Sequence, residues 1–109
     1  MVSAIDFGTL TEGKVHNLSG HDRGLAARRS FRLDELDTDG VKHLVRIPDD
    51  IYGISPSFIQ GLFADTLRSL NNSLEEFERC YEFEATDLIQ RQIARGLQNI
   101  LIDRTTPIC

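Results

Sequence analysis

The fold of this chain is decided by one stretch, Val45-Arg46-Ile47-Pro48-Asp49-Asp50-Ile51-Tyr52-Gly53-Ile54-Ser55-Pro56-Ser57-Phe58. It completes an apolar-rich run that begins at Val41 and is long enough for one strand but too short for a helix. Pro48 ends that strand, because its nitrogen cannot donate to a strand ladder. Aspartates and a glycine then supply turn-forming residues. The stretch therefore predicts a buried strand, a short loop and the start of a helix.

Ser55 and Pro56 mark where that helix begins. Serine is a preferred N-cap residue, and proline is favoured at the first helical position because its missing N–H would be unpaired there anyway. Apolar residues then recur at spacings of one, three and four, which predicts one buried helical face: Phe58, Ile59, Leu62, Phe63, Leu67 and Leu70. The polar segment 71–73 predicts the end of this helix.

The amino-terminal half contains weaker signals of the same kinds. Val2 to Phe7 predicts a first strand, and Val15 to Leu18 predicts a second strand that pairs back on the first. Ser19 or Asp22 is expected to cap a helix that contains a basic cluster and runs to the turn beginning at Asp37.

The carboxy-terminal half adds one strand and one helix. Residues 74–79 predict either an extension of the central helix or a loop, and residues 80–84 predict a strand near a sheet edge. Thr86 is expected to cap a last helix that reaches about Asp103. Strands that alternate with helices predict an α/β fold with a mainly parallel sheet of about three to five strands and three helices, with a two-layer α+β arrangement as the variant.

The composition sets limits on function. A chain of 109 residues, 40% hydrophobic and 27% charged, predicts one ordered domain. We assign it to residues 1–104, with 105–109 as a flexible tail. The net charge of −5 argues against non-specific binding to nucleic acid or to anionic membranes. We see neither a run of 18 apolar residues nor a signal-peptide pattern, so a cytoplasmic location is expected.

No catalytic constellation is visible in the sequence. His16, His21 and His43 lack the spacing of metal ligands, and there is no phosphate-binding glycine loop. We therefore expect no enzyme activity, no metal and no cofactor. A basic cluster that includes Arg23 and Arg28 is a candidate for anion binding, although such clusters are more often a solvated helix face.

The segment Gly53-Ile54-Ser55-Pro56-Ser57-Phe58, with Leu62-Phe63 after it, resembles the STAS-like domains of bacteria. In those domains a strand leads into an "isxSF" turn and then into a helix. The segment 20–24 and the last helix, 89–101, lie where that family places comparable elements, so the resemblance covers roughly residues 3 to 103. The layout is similar to that of STAS domains, which include the anti-sigma factor antagonists.

The resemblance implies a regulatory function without catalysis. The antagonists are interaction modules controlled by phosphorylation of a serine at the start of the helix after the central strand, and their partner is an ATP-dependent kinase that also acts as an anti-sigma factor. That serine corresponds to Ser55 or Ser57 in this chain. The expected surface for the protein partner surrounds these two serines and includes Tyr52 and Phe58.

Two other kinds of function remain open. One is a small module that binds an anion or a nucleotide at the N-terminus of the central helix, with Arg23 or Arg28 nearby. The other is a structural or oligomerisation subunit that uses the apolar last helix. The sequence leaves the oligomeric state open.

Overall fold

The computed structural model describes residues 3–105, and it shows an α/β chain in which helices connect most of the strands. The elements, in chain order, are β1 (Ser3–Asp6), α1 (Gly8–Thr11), β2 (Asn17–Leu18), α2 (His21–Ser30), α3 (Leu33–Leu36), β3 (His43–Arg46), β4 (Gly53–Ile54), α4 (Pro56–Ser69), α5 (Leu74–Cys80), β5 (Tyr81–Glu84) and α6 (Asp87–Thr105).

The strands form two separate parallel sheets. The larger sheet has the order β1-β3-β5, with Ile5 beside Val45 and Val45 beside Phe83. The smaller sheet pairs β2 with β4. The predicted α/β class and the mainly parallel sheet are therefore confirmed.

The larger sheet buries one of its faces and exposes the other. Ile5, Val45 and Tyr81 point into the core, whereas four residues at alternate positions are charged and exposed: Asp6, Arg46, Glu82 and Glu84. On that charged face Arg46 and Glu84 are 2.7 Å apart, and Lys42 and Glu82 are 3.9 Å apart. The helices therefore cover one side of this sheet, which is the two-layer arrangement that the sequence analysis named as a variant.

Helix α4 is the centre of the helical layer. It packs against α2 on one side and α6 on another. Gly24 of α2 and Gly61 of α4 bring their helices into backbone contact, because a Cβ at Gly24 would lie only 2.2 Å from the Phe58 carbonyl oxygen. A Cβ at Gly96 of α6 would likewise lie 2.7 Å from Cβ of Ile59. Glycines therefore fix how closely the three longer helices approach.

Several sequence-based predictions of local structure were wrong. β2 does not pair back on β1, because its partner is β4. The helix after Gly20 has no side-chain cap, so neither Ser19 nor Asp22 fills that role. It ends at Ser30, because Arg32 adopts a left-handed backbone conformation with φ of 56° before α3 begins. Residues 74–80 form a separate helix, α5, capped by Ser73.

The predictions around the last strand and helix were confirmed. β5 is an edge strand of the larger sheet. The Thr86 hydroxyl accepts a hydrogen bond from the Ile89 N–H at 3.3 Å, as expected of an N-cap. α6 continues to Thr105, which takes in the first residue of the predicted tail, and residues 106–109 lie outside the described part of the chain.

Candidate functional site

The start of α4 has the capped geometry that the sequence predicts. Ser55 has an extended backbone, and its hydroxyl accepts a hydrogen bond from the Phe58 N–H at 3.2 Å. Pro56 is the first helical residue, and the first turn of α4 contains no acidic side chain. The first turn of α4 therefore supplies no carboxylate to neutralise the positive end of the helix dipole.

The smaller sheet holds this helix start in place. The Ser55 N–H donates to the Leu18 carbonyl oxygen at 2.8 Å, and the Ile54 N–H donates to Oε1 of Gln92 at 2.8 Å. Gly53 lies close to the Asn17 side chain, because a Cβ there would lie 2.8 Å from Oδ1 of Asn17. Backbone pairing and one glutamine from α6 thus position Ser55.

A cleft of about 340 Å³ opens beside the start of α4, and we call it the α4 cleft. Its lining includes Ser19, Gly53, Ser55, Pro56, Gln92 and Arg95. Arg95 supplies the only charged side chain among the described residues that line it. The cleft thus combines an arginine with the amino-terminal end of a helix, and both favour negative charge.

The two candidate serines occupy different environments. Ser55 is half-buried, and its hydroxyl caps the helix. Ser57 is exposed at the second helical position and lines a smaller hollow of about 120 Å³ with Gln60 and Asn99. Pro56 lines both depressions, so the two serines lie on either side of the proline. Ser57 is therefore the exposed serine of the two, and its hydroxyl does not cap the helix.

Tyr52 lies at the other end of β4 from Ser55. Its side chain is 63% exposed and stacks on His16, with 5.4 Å between ring centroids. His16 is fixed in turn, because Nδ1 donates to the Asp50 carbonyl oxygen at 2.9 Å and its own carbonyl oxygen accepts the Tyr52 N–H at 2.7 Å. Tyr52 is therefore an exposed aromatic ring that stacks on His16, and it directly precedes Gly53, which lines the α4 cleft.

Phe58 is not a surface residue, so its expected role in partner binding is wrong. Its side chain is 1% exposed and packs against Phe7, with 6.2 Å between ring centroids. The apolar face of α4 accounts for this placement, because Phe58 is the first core residue of that face.

Arg28 is also unavailable, and its expected role in anion binding is wrong. The residue is 5% exposed, and five hydrogen bonds use the five N–H groups of its guanidinium. Nε and Nη2 donate to Asp34, and Nη2 also donates to Asp37 at 2.6 Å. Nη1 donates to the Leu62 carbonyl oxygen and to Thr66. An external anion would find no free donor on Arg28.

A polar network surrounds this arginine. The Asp37 carboxylate also accepts hydrogen bonds from the hydroxyls of Thr66 and Tyr81, at 2.9 and 2.5 Å. Burial alone lowers the pKa of Arg28, but the hydrogen bonds and charges of Asp37 and Asp34 outweigh it and raise the pKa. Burial, followed by the hydrogen bond to Asp37, raises the pKa of the Tyr81 phenol. The network ties α2, α3, α4 and β5 together and is structural.

Arg23 is exposed on α2, but it does not line the α4 cleft. It lines a second cavity, which shares only Asn17 and Leu18 with the cleft. The structure thus brings Ser55 and Arg95 to one cleft, whereas Arg23 lies elsewhere.

Sequence reasoning missed Gln92 and Arg95. Their spacing of three residues places them on one face of α6, beside the buried face that contains Ile89 and Ile93. That spacing is the only sequence signal that groups Gln92 with Arg95. Nothing in the sequence indicates that this face of α6 lies beside the start of α4.

Other chemical groups in the described part of the chain do not form a site. Residues 3–105 contain no cluster of three or more histidine, cysteine or acidic side chains that could hold a metal ion. Burial raises the pKa of the Cys80 thiol, with further contributions from nearby carboxylates, so the thiolate is disfavoured.

Comparison of the chain with protein-family models, with curated proteins and with solved structures found no match. Among the described helices, none has the length and apolar character needed to cross a membrane.

Proposed function

We propose that this chain is a STAS-like interaction module of bacterial signalling, located in the cytoplasm and without catalytic activity. Its partner is a kinase-like ATPase, which docks on the surface formed by Tyr52, Ser55 and Ser57 and phosphorylates Ser57. We call these three residues the α4 surface. The observation that carries the proposal is the exposed Ser57 hydroxyl in the first turn of a capped helix, within a few residues of an exposed aromatic ring.

The helix start favours a phosphate on Ser57. A phosphoserine adds about −1.5 to −2 charge, and a helix N-terminus stabilises negative charge. The first turn of α4 has no acidic residue to repel the phosphate. Phosphorylation is therefore expected to leave α4 folded and to change only what a partner meets at the surface.

The remaining part of the surface favours protein binding. Tyrosine is enriched among the residues that contribute most to interfaces, because its large ring loses little conformational entropy on binding. The ring of Tyr52 is already held by its stack on His16. A partner that covers both Tyr52 and Ser57 would lose contacts when the serine acquires a bulky dianion.

The test combines intact mass with partner capture from the native host. The tagged chain is expected to carry one additional phosphate, mapped to Ser57, and to retain an ATPase of the kinase type. Ser57→Ala should abolish the mass increase, and Ser57→Asp should weaken capture. Tyr52→Ala should weaken capture without changing the melting temperature by more than a few degrees, because Tyr52 is largely exposed.

Leu88→Ala provides the matched control, since Leu88 is a large apolar residue that is 47% exposed on α6, outside the α4 surface. It should capture the ATPase as well as the parent chain does. An unmodified parent chain, or capture that Tyr52→Ala and Leu88→Ala reduce equally, would refute the proposal.

Two further measurements address the alternatives. Stabilisation of the purified chain by ATP or inorganic phosphate, lost in Arg95→Gln, would favour a small anion-binding module instead. A mass that rises with concentration in sedimentation would favour an oligomerisation subunit. We expect neither result.

A further inference from the structure

The segment that connects α1 to α2 contributes little to the core, and we call its residues 14–19 the strap. Five of these six residues are exposed, and Leu18 alone is buried. A segment that buries one apolar side chain separates from the core at a lower free energy than global unfolding requires. The burial pattern of the strap therefore favours local opening while the rest of the chain stays folded.

A glycine with positive φ bounds the strap at each end. Gly13 has a φ of 71° and Gly20 has a φ of 94°. Apart from the chain neighbours, an added Cβ at either glycine would meet no described residue within 4 Å. Glycine adopts positive and negative φ with similar ease, so both positions can change conformation without a steric clash. The two glycines have the properties that hinges require.

The contacts that hold the strap closed are concentrated in residues 16–18. β2 pairs in parallel with β4, and two N–H groups at the ends of β4 donate to strap carbonyl oxygens. The Tyr52 N–H donates to His16 at 2.7 Å, and the Ser55 N–H donates to Leu18 at 2.8 Å. The His16 ring also stacks on Tyr52. Because three consecutive residues make these contacts, opening of the strap would break them together.

The amide between these two in sequence is held from another direction. The Ile54 N–H donates to Oε1 of Gln92 at 2.8 Å, and Gln92 belongs to α6. This hydrogen bond does not involve the strap, so it remains when the strap opens. Ile54 therefore serves as an internal reference for the amides of Tyr52 and Ser55.

We propose that the strap opens as one unit about Gly13 and Gly20, and that opening releases the Tyr52 ring and the Ser55 N–H while α4 and the larger sheet stay folded. Opening needs no partner, so it stands or fails independently of the proposed function. The closed strap holds the Tyr52 ring against His16. A partner that binds the ring in this position would favour the closed state.

Native-state amide hydrogen exchange of the full chain, recorded by NMR at low urea concentrations, tests the opening. After correction for intrinsic rates, Tyr52 and Ser55 should be equally protected, and both should exchange about tenfold or more faster than Ile54 and than Leu62 in the buried part of α4. Their rates should depend little on urea, because opening exposes little surface. Equal protection of Ser55 and Ile54, or a urea dependence of Ser55 as steep as that of Leu62, would overturn the proposal.

Gly13→Ala and Gly40→Ala are a matched pair of variants, because the two glycines have φ of 71° and 74° and an added Cβ meets no described residue beyond the chain neighbours within 4 Å at either. Gly13→Ala should speed the exchange of Tyr52 and Ser55 about tenfold, because opening relieves the strain of an L-residue at positive φ. Gly40 lies between α3 and β3, outside the strap, so Gly40→Ala should speed the exchange of Leu62 but leave Tyr52 and Ser55 unchanged. Unless Gly13→Ala speeds the exchange of Ser55 more than Gly40→Ala does, Gly13 is not a hinge and the proposal fails.

Discussion

Replacing Gly61 by alanine tests whether the backbone contact between α2 and α4 determines stability. The new Cβ would lie 2.2 Å from the His21 carbonyl oxygen and 2.9 Å from the Leu25 nitrogen. Real Cβ atoms essentially never approach another atom closer than 3.0 Å, so the helices must separate by about 0.8 Å. The obstacle is backbone on a rigid helix, and it cannot rotate away as a side chain could.

The size of the effect follows from that displacement. A gap of about 0.5 to 1 Å loses a quarter to a half of the dispersion energy between facing atoms. Overpacking in a core costs about 1–3 kcal/mol and occasionally more. Alanine recovers about 1 kcal/mol through its higher helix propensity. Because the clash is with backbone, we expect the upper end of the overpacking cost and a net loss of about 2 kcal/mol or more in the free energy of unfolding.

Urea unfolding followed by far-ultraviolet circular dichroism measures this loss. At about 4–8 °C per kcal/mol for a chain of this size, the melting temperature should fall by at least about 8–16 °C. Gln60→Ala is the control, because Gln60 is the neighbouring residue in α4 and is exposed. It should change stability by less than about 0.5 kcal/mol. A Gly61→Ala chain as stable as the parent would show that the two helices are not in backbone contact.

Three further predictions concern capping and pH. Ser55→Ala should lower the free energy of unfolding by about 1 kcal/mol, because the Phe58 N–H loses its acceptor. Ser55→Asp should retain most of that stability in urea unfolding, and equal stabilities of the two variants would contradict the cap. The hydrogen bond from the Val41 N–H lowers the pKa of Asp39. The Asp39 carboxylate therefore stabilises the fold above its unfolded pKa, and this stabilisation is lost as the pH falls through the lower folded pKa. Asp39→Asn should therefore flatten the acid side of a melting-temperature profile, and an unchanged acid slope would count against this. Burial and the hydrogen bond to Asp37 raise the pKa of the Tyr81 phenol. The neutral phenol therefore contributes its full stabilisation below the unfolded pKa of about 10, and this stabilisation is lost as the pH rises above that value. Tyr81→Phe should remove that alkaline loss, and a variant that keeps the parent's alkaline slope would be inconsistent with it.

Local signals in the sequence were sufficient for the centre of the fold. The Ser55-Pro56 pair, followed by an apolar helical period, correctly located the cap and the buried face of α4. The edge strand and the Thr86 cap followed from equally local patterns. These features depend on a few neighbouring residues, which is why one sequence was enough to find them.

Features that depend on distant residues were not predicted. β2 is two residues long, so it shows no alternation that could identify its partner. Arg28 appeared to be part of an exposed basic cluster, and its burial is understandable only with Asp34 and Asp37 in place. The entry of Arg95 into the α4 cleft depends on how α6 crosses β4, which is a property of the packed molecule. The STAS-like resemblance remains a prediction.

The charged face of the larger sheet has a consequence for how copies of this chain meet. β5 is an edge strand, and an edge strand invites pairing with another chain. If two copies aligned their β5 strands, Glu82 and Glu84 of one chain would face the same residues of the other at cross-strand distance, where like charges repel. Lys42 and Arg46 offset these charges only within their own chain. The charges of β5 therefore disfavour the pairing of two copies along this edge.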